Sequence, residues 1–123
     1  MARRLRCGAR RAEITVRGAL GELPAHIAAH VYRIAAEGLT NAVHHGGAGH
    51  VDVTLARNGV SATSEVRDDG RGLAPVRRPG SNGLRSMHAC ADTIGARLSI
   101  GPGPDGRGTS VVLSLSTDPD ARS

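Results

Sequence analysis

The sequence predicts an α+β fold, a two-layer α/β sandwich in which helices cover one face of a mixed, mainly antiparallel sheet. Hydrophobic periodicity predicts a strand, a long helix, two strands, a second helix and two further strands in that order. The length of 123 residues suits one domain, and the hydrophobic fraction of 39% can fill one core. Because Tyr32 is the only aromatic residue, small aliphatic side chains must form that core.

The first third of the chain contains the long helix. Residues 1–11 are basic and are predicted to be a poorly ordered lead-in, and residues 12–17 alternate as a strand does. From Pro24 to about His45 the spacing is helical, and proline suits a first helical turn. The apolar side of this helix comprises Ile27, Val31, Ile34, Ala35 and Ala42. The opposite, polar side comprises His26, His30, Arg33, Glu37, Asn41 and His44.

Two strand pairs and a second helix follow. Residues 50–57 and 60–67 are predicted strands joined by Asn58-Gly59, a strong hairpin signal. Residues 68–83 hold too many glycines and prolines for regular structure. The remaining predicted elements are a helix from Leu84 to about Ile94, strands over residues 96–101 and 110–116, and a disordered tail over residues 118–123.

Charge and cysteine content argue against several classes of protein. The formal net charge is +5, but no aromatic residues are interleaved with the basic ones to stack on bases, so no nucleic-acid partner is expected. Cys7 and Cys90 lack metal-ligand spacing and are expected to be free thiols. No apolar stretch reaches the roughly 20 residues of a membrane helix. We therefore expect a cytoplasmic segment without membrane contact, which could be the cytoplasmic end of a membrane-bound sensor.

The first candidate site segment is EGLTNAVHHGGA, residues 37–48. Glu37, Asn41 and His45 are spaced four residues apart and His44 is three after Asn41, so all four lie near one line of the helix. The carbonyl oxygen of asparagine suits Mg²⁺, which prefers oxygen ligands. The segment therefore indicates a metal ligand, although a solvated helix face would have the same spacing.

The second candidate segment is RDDGRGL, directly after a predicted strand. Asp68, Gly70 and Gly72 have the form DxGxG. A carboxylate at the end of a strand can accept a hydrogen bond from an amino group, and alternate glycines let the backbone approach a flat ligand. The segment indicates a site for a planar ligand, although Asp-Asp-Gly also occurs in ordinary turns.

Two further segments complete the pattern. GSNGLRSM leads into a helix whose first N–H groups can bind phosphate, which makes Gly80, Gly83 and Leu84 candidate contacts; a flexible loop would look similar. GRGTSVVLSLS places the hydroxyl of Thr109 at the start of a strand, where it could join the hydrogen bonds of a carboxylate. The end of a hairpin would explain this last segment equally well.

The order and spacing of these four segments resemble the N box, the two glycine boxes and the closing Gly-Thr of the histidine-kinase-like ATPase superfamily. That superfamily has the Bergerat ATP-binding fold and also includes gyrase, MutL and the heat-shock-ninety chaperones. The resemblance extends from Leu23 to Leu115 and implies an ATP-binding catalytic domain over residues 12–117. VYRIAAEGLTNAVHHGGA, VRDDGRGL and GLRSM look closest to the nitrate-sensor branch of the sensor histidine kinases.

The resemblance implies a role for each matching residue in a site for ATP and Mg²⁺. It implies that Asn41 coordinates Mg²⁺ and that Asp68 accepts from the adenine amino group. Glu37 takes the place at which relatives that hydrolyse ATP orient water, and in a kinase it could polarise the attacking histidine. The other implied cofactor contacts are His44, His45, Gly70, Gly72, Gly80, Gly83, Leu84 and Thr109. The branch often has Lys or Arg in place of His44.

The implied activity is transfer of the γ-phosphate of ATP to a histidine. None of the six histidines has the setting of the branch's phospho-acceptor, so the acceptor is expected on a dimerisation domain in the same or a separate chain. A response regulator would be an indirect partner. Two alternatives are an anti-sigma-factor-type serine kinase, which shares ExxxN and DxGxG, and a nucleotide-binding regulatory module without transfer activity. GLRSM and GPDGRGT favour the histidine kinase.

Overall fold

A computed structural model describes residues 2–7, 10–45, 49–70, 82–103, 106 and 108–117. The strands in this part of the chain are β1 (Ala2–Cys7), β2 (Arg10–Gly18), β3 (His50–Asn58), β4 (Ser61–Asp68), β5 (Arg97–Pro102) and β6 (Thr109–Ser116). The helices are α1 (Ala25–Thr40), which continues into a π-helical segment (Asn41–His45), and α2 (Asn82–Thr93). The strands form one sheet in the order β1-β2-β3-β4-β6-β5.

The sheet is mixed and mainly antiparallel, which confirms the predicted fold class. Only β2 and β3 are parallel, because α1 connects them as a crossover. The pairs β1–β2, β3–β4, β4–β6 and β5–β6 are antiparallel. Helix α1 contacts α2 and β4, and α2 also contacts β5, so both helices lie on the same face.

The described core between the helices and the sheet consists of aliphatic side chains, one methionine and one cysteine, as the composition predicts. Alternate residues of the central strands are buried, among them Val51 and Val53 on β3 and Val111, Leu113 and Leu115 on β6. The helices bury Ile27, Val31, Ile34, Met87, Cys90 and Ala91. The lone aromatic residue, Tyr32, is 69% exposed. No helix in the described ranges is long and apolar enough to cross a membrane.

The N-terminal segment differs from its prediction. A poorly ordered lead-in is expected over residues 1–11, yet Ala2–Cys7 forms strand β1, which pairs antiparallel with β2 at one edge of the sheet. Strand β2 also begins before the predicted strand at residue 12. Backbone N–H and C=O groups form a ladder whatever the polarity of the side chains, and charged sequences are common on edge strands. The search for apolar alternation therefore missed this strand.

The β3–β4 hairpin is confirmed, but its turn lies one residue later than predicted. Asn58 pairs with Ser61, so the loop consists of Gly59 and Val60 rather than of Asn58 and Gly59. Gly59 has a φ of +61°, which suits a turn with glycine at its first central position. A β-branched residue such as Val60 disfavours the turn type in which both central residues have positive φ.

A network of hydrogen bonds closes the hairpin end of β3, and we call it the Arg57 anchor. The guanidinium of Arg57 donates to the carbonyl oxygens of Leu20 at 2.8 Å, Glu22 at 3.1 Å and Gly59 at 2.9 Å. It also lies 3.4 Å from Oγ1 of Thr117. One side chain thus ties the link before α1, the hairpin turn and the end of β6 together.

The other helical and strand predictions are confirmed with small shifts in their bounds. Helix α1 begins one residue after Pro24, and its predicted last turn is π-helical. Helix α2 begins at Asn82, two residues before the predicted start, and the final strand pair shifts by about one residue. The predicted irregular loop lies largely outside the described residues, as does the predicted tail at 118–123.

Candidate functional site

The C-terminal ends of α1 and β4 lie at the same end of the sheet. Helix α1 connects the parallel strands β2 and β3, so it runs antiparallel to both of them. Strand β4 is antiparallel to β3 and therefore runs in the same direction as α1. Gly38 fixes this arrangement, since a Cβ atom there would lie 3.3 Å from Cγ1 of Val66 on β4. Asn41 follows Gly38 by three residues and Asp68 follows Val66 by two. The topology thus brings the first two predicted segments to one end of the molecule.

The α1 end of the site departs from regular α-helix at Asn41. The backbone N–H of Asn41 donates to the carbonyl oxygens of both Glu37 and Gly38, and the π-helical segment starts there. Such single-turn π-helical segments occur frequently at functional sites. Glu37 and Asn41 are both half-buried. His44 and His45 belong to the π-helical segment, and their side chains lie outside the described set.

Asp68 ends β4 as a buried carboxylate with an exposure of 8%. Its Oδ1 accepts a hydrogen bond of 2.8 Å from the backbone N–H of Gly70, and the backbone N–H of Thr109 also donates to it. Burial raises the pKa of Asp68 above its ordinary value of 3.8, and these two N–H groups lower the pKa by less. Within the described ranges no side chain donates to Asp68. The Asp68 carboxylate is therefore desolvated, and a further hydrogen-bond donor would stabilise its charge.

Gly108 brings the start of β6 against this carboxylate. Its φ is +67°, and a Cβ atom there would overlap the carbonyl oxygen of Asp68 and lie 3.1 Å from Oδ1 of Asp68. Only glycine combines a positive φ with this close approach. Thr109, the next residue, is buried at 8% exposure, so the predicted closing Gly-Thr does meet the DxGxG aspartate.

The neighbouring carboxylate, Asp69, differs from Asp68 in its surroundings. It is exposed, and its Oδ1 accepts from the backbone N–H groups of Gly49 and His50, each at 3.0 Å. Although burial raises the pKa of Asp69, the N–H groups of His50 and Gly49 and the nearby His50 ring together lower it. The sequence analysis did not single out Asp69, and the doublet Asp-Asp is the only signal that could have suggested it.

The other predicted contacts are only partly described. Gly83 and Leu84 lie in the first turn of α2, where the backbone N–H groups of an α-helix have no acceptor within the helix. Gly72 and Gly80 lie outside the described residues. The roles of Gly80, Gly83 and Leu84 at the phosphates and of Gly72 at the adenine therefore remain predictions.

The described residues contain no group of three or more His, Cys, Asp or Glu side chains placed to hold a metal ion. A protein-only cage is not what Mg²⁺ requires when a nucleotide is present, because phosphate oxygens and waters supply most of its ligands. Asn41 is half-buried, and its amide oxygen fits such a role chemically. This end of the sheet thus combines a buried carboxylate, that of Asp68, with the half-buried Asn41.

The chain is similar to known proteins in sequence and in fold. The family model described as "Histidine kinase-, DNA gyrase B-, and HSP90-like ATPase" matches residues 26–119. No curated protein matches the chain. Among solved structures, the histidine kinase domain of the Erythrobacter litoralis EL346 blue-light activated histidine kinase is similar with a TM-score of 0.74 and 24% identity, over 85% of this chain.

Two further solved structures have the same fold. The ATP binding domain of PrrB from Mycobacterium tuberculosis is similar with a TM-score of 0.63 and 24% identity, over 85% of this chain and 81% of that one. Acinetobacter baumannii histidine kinase AdeS is similar with a TM-score of 0.58 and 14% identity, over 73% of this chain and 47% of that one. The chain spans 54% of the Erythrobacter histidine kinase domain.

Proposed function

We infer the function from the family of histidine kinase-, DNA gyrase B- and HSP90-like ATPases, to which this chain belongs because the family model matches residues 26–119. Membership implies that the chain binds ATP. We propose that it is the ATP-binding catalytic domain of a two-component sensor histidine kinase. In this role it binds Mg-ATP and transfers the γ-phosphate to a histidine on a dimerisation domain, in the same or a separate chain, from which a response regulator is phosphorylated.

The observation that carries the proposal is the setting of Asp68. This carboxylate is buried at the end of β4, and its donors in the described part of the chain are two backbone N–H groups. An adenine amino group would add a donor that the buried carboxylate favours, whereas guanine carries a carbonyl oxygen at the corresponding position and would repel it. Asp68 thus supports selection of adenine, and the backbone of Gly70 and Gly108 shapes the same side of the site.

The phosphates would then extend toward the end of α1 and the start of α2. The N–H groups in the first turn of α2, which includes Gly83 and Leu84, would bind them. Asn41 would hold the Mg²⁺ that, when bound, neutralises the phosphate charge. His44 and His45, one turn further along, would contact the same phosphates, with His44 in the place of a Lys or Arg.

Positioning supplies most of the catalysis in such a transfer. The bond between the γ-phosphorus and its bridging oxygen breaks while a bond to an imidazole nitrogen of the acceptor forms, and ADP leaves. Glu37 lies one helical turn before Asn41 and is half-buried. In the proposed transfer it would accept the proton of the attacking imidazole or orient the ring.

Within the family we propose a place closest to the nitrate-sensor branch, supported by VRDDGRGL and GLRSM. The two alternatives are a serine kinase of the anti-sigma-factor type and a nucleotide-binding module without transfer activity. No feature of the described residues favours either of them over the histidine kinase. The three functions give different products, namely phosphohistidine, phosphoserine or no phosphorylated acceptor. Identifying the product therefore decides between them.

The decisive experiment offers the chain two acceptors in separate reactions with ATP and Mg²⁺. One acceptor is a histidine kinase dimerisation domain of the nitrate-sensor type, and the other is an anti-sigma-factor antagonist. We expect phosphate that is lost in acid, on the dimerisation domain only. Acid-stable phosphoserine would support the serine kinase, and ATP binding without any transfer to several such domains would support the regulatory module.

Asn41→Ala is the matched variant for this assay. Asn41 is half-buried and lies beyond the buried residues Ile27, Val31 and Ile34 of α1, so the nucleotide-free variant should retain the melting temperature within a few degrees. Transfer should fall by at least about a hundredfold, the order of a lost electrostatic contact in a transition state. A large loss of stability would make Asn41 a structural residue and would contradict the proposed metal role.

A further inference from the structure

Asp69 binds both backbone polar groups of one residue at the entry of β3. Its own N–H donates to the carbonyl oxygen of His50 at 3.2 Å, and its Oδ1 accepts from the N–H of His50 at 3.0 Å. The same Oδ1 accepts from the N–H of Gly49 at 3.0 Å. The second oxygen, Oδ2, lies 3.4 Å from Nδ1 of the His50 ring. Four contacts therefore join one aspartate to the Gly49–His50 segment.

The Gly49–His50 segment is held from its other side by strand β2. The N–H of Glu13 donates to the carbonyl oxygen of Gly49 at 2.9 Å, and Oε1 of Glu13 lies 3.4 Å from Nε2 of His50. The backbone of this segment is thus fixed between β2 and the residue that follows β4. Without the Asp69 carboxylate, the hydrogen bond from the backbone N–H of residue 69 to His50 would remain, but the N–H groups of Gly49 and His50 would lose their acceptor on this side.

The position of this segment matters because of what it connects. It follows the stretch that begins with Asn41 at the end of α1, and it enters β3 beside Asp68, which pairs with Val51. Asp69 therefore joins the residue next to Asp68 to the segment that enters β3. Its partners are 19 and 20 residues away in sequence, so the contacts are tertiary and not those of a local turn.

We propose that Asp69 is a positioning residue of the nucleotide site, which holds the Gly49–His50 segment against the backbone carrying Asp68 and so sets the spacing between the α1 end and the adenine acceptor. This inference rests on the proposed ATP site. Asp69 is not expected to touch the nucleotide itself, because the contacts of its carboxylate are directed to Gly49 and His50. Its effect on binding is indirect and depends on one acceptor oxygen.

Three variants separate positioning from charge and from stability. Asp69→Ala removes both acceptor oxygens. Asp69→Asn retains Oδ1, which accepts both N–H groups, and removes the negative charge together with the second acceptor oxygen, Oδ2. Asp92→Ala removes an equal charge from an exposed position near the end of α2, where its side chain has no described partner. The comparison of the first two variants is the test, and the third is the matched control for charge.

Two readouts are taken on the full chain, well below the melting temperature of each variant. The first is ATP affinity by calorimetry with Mg²⁺ present. We expect Asp69→Ala to raise the Kd about fivefold, as expected for lost hydrogen bonds that act indirectly, and Asp69→Asn and Asp92→Ala to stay within about twofold of the wild type. The second is hydrogen exchange without nucleotide. The amides of Gly49 and His50 should exchange faster in Asp69→Ala, while that of Val111 in β6 should not change.

The outcomes separate this inference from the proposed function. If the wild type binds no ATP, the proposed function has failed and the positioning role fails with it. If the wild type binds ATP but Asp69→Ala binds it equally well, the inference alone is overturned. An Asp69→Asn variant as weak as Asp69→Ala would mean that charge, not position, is what Asp69 supplies. Unchanged hydrogen exchange at the amides of Gly49 and His50 in Asp69→Ala would also overturn the positioning role of Asp69.

Discussion

The two ends of the β3–β4 pair are tied by side chains of opposite charge, and they serve different purposes. At the hairpin end, the Arg57 anchor donates to three backbone carbonyl oxygens of the chain itself. At the other end, the carboxylates of Asp68 and Asp69 accept from backbone N–H groups. Arg57 is exposed and solvated, whereas Asp68 is buried and its pKa is raised mainly by desolvation. One end of the strand pair is thus held by a solvated cation, and the other ends in a desolvated carboxylate.

This difference teaches how to distinguish a binding residue from a structural one when both form hydrogen bonds to backbone. A structural side chain such as Arg57 satisfies the chain's own groups at little desolvation cost. A side chain with a proposed binding role, such as Asp68, is held in a desolvated position that disfavours its charge, a pattern expected of functional sites. Substitution of Arg57 should therefore change stability more than ATP binding, and substitution of Asp68 should change ATP binding more than stability.

The largest effect is expected from Gly108→Ala, which would remove the contact between β6 and Asp68. A Cβ atom at this position overlaps the carbonyl oxygen of Asp68, and the positive φ adds strain. The free energy of unfolding should fall by about 3 kcal/mol or more, and ATP binding should be lost. Chemical denaturation and calorimetry measure the two.

Gly106→Ala is the control for that variant. Gly106 has a φ of +80°, but a Cβ atom there would meet nothing within 4 Å. Strain alone should cost about 1–2 kcal/mol. Equal losses of unfolding free energy in the two variants would mean that the close approach of Gly108 to Asp68 contributes nothing to stability. The contact between β6 and Asp68 would then not differ from an ordinary turn.

The next largest effect is the loss of ATP affinity in Asp68→Asn. One hydrogen bond to a charged group contributes about 1.5–3 kcal/mol, so the Kd should rise by an order of magnitude or more. The amide can still accept from Gly70, and the ligand-free variant should be as stable as the wild type or more stable at neutral pH. A variant that loses stability and keeps its affinity would reverse the assignment of the two ends.

A smaller effect, confined to stability, is expected from Arg57→Ala. Losing the exposed Arg57 anchor should lower the free energy of unfolding by about 1–2 kcal/mol, because solvent screens these hydrogen bonds. ATP affinity should remain within about twofold of the wild type. Arg57→Lys, which keeps the charge but not the geometry of the guanidinium, should recover only part of the stability. A loss of ATP affinity without a loss of stability would contradict the structural role of Arg57.

The smallest effect is a dependence on pH. Because the folded-state pKa of Asp68 is raised above 3.8, its stabilising contribution is fully present below that pH and is lost as the pH rises through the folded pKa. Asp69 has a lowered pKa and acts in the opposite sense, with its contribution lost as the pH falls through the folded pKa. The stability of Asp68→Asn relative to the wild type should therefore rise with pH above 3.8 and then level off. A difference independent of pH would contradict the raised pKa.

Much of the fold could be predicted from the sequence, because its signals are local. The apolar periodicity of α1 predicts the buried Ile27, Val31 and Ile34, and the Asn58-Gly59 signal predicts the hairpin. The DxGxG and Gly-Thr segments predict a pair that the structure brings into contact, with Gly108 and Thr109 beside Asp68. Each of these signals lies in a few consecutive residues.

The features that the sequence did not predict arise from backbone pairing and strand register or from contacts between distant segments. Strand β1 forms through a backbone ladder with β2, which leaves no mark on side-chain alternation. Asp69 acts on Gly49 and His50, which no local pattern connects to it. The shift of the turn to Gly59 and Val60 follows from the register of two whole strands and not from the dipeptide alone.

The absence of aromatic side chains from the core has a consequence for spectroscopy. Tyr32 is the only aromatic residue of the chain, and its ring lies on the outer side of α1, away from Ile27 and Val31. Its intrinsic fluorescence therefore reports on the surroundings of that helix face, and a change in emission would signal a molecule covering it. A tryptophan placed in the core, for example by Met87→Trp, would have no background signal from any other indole.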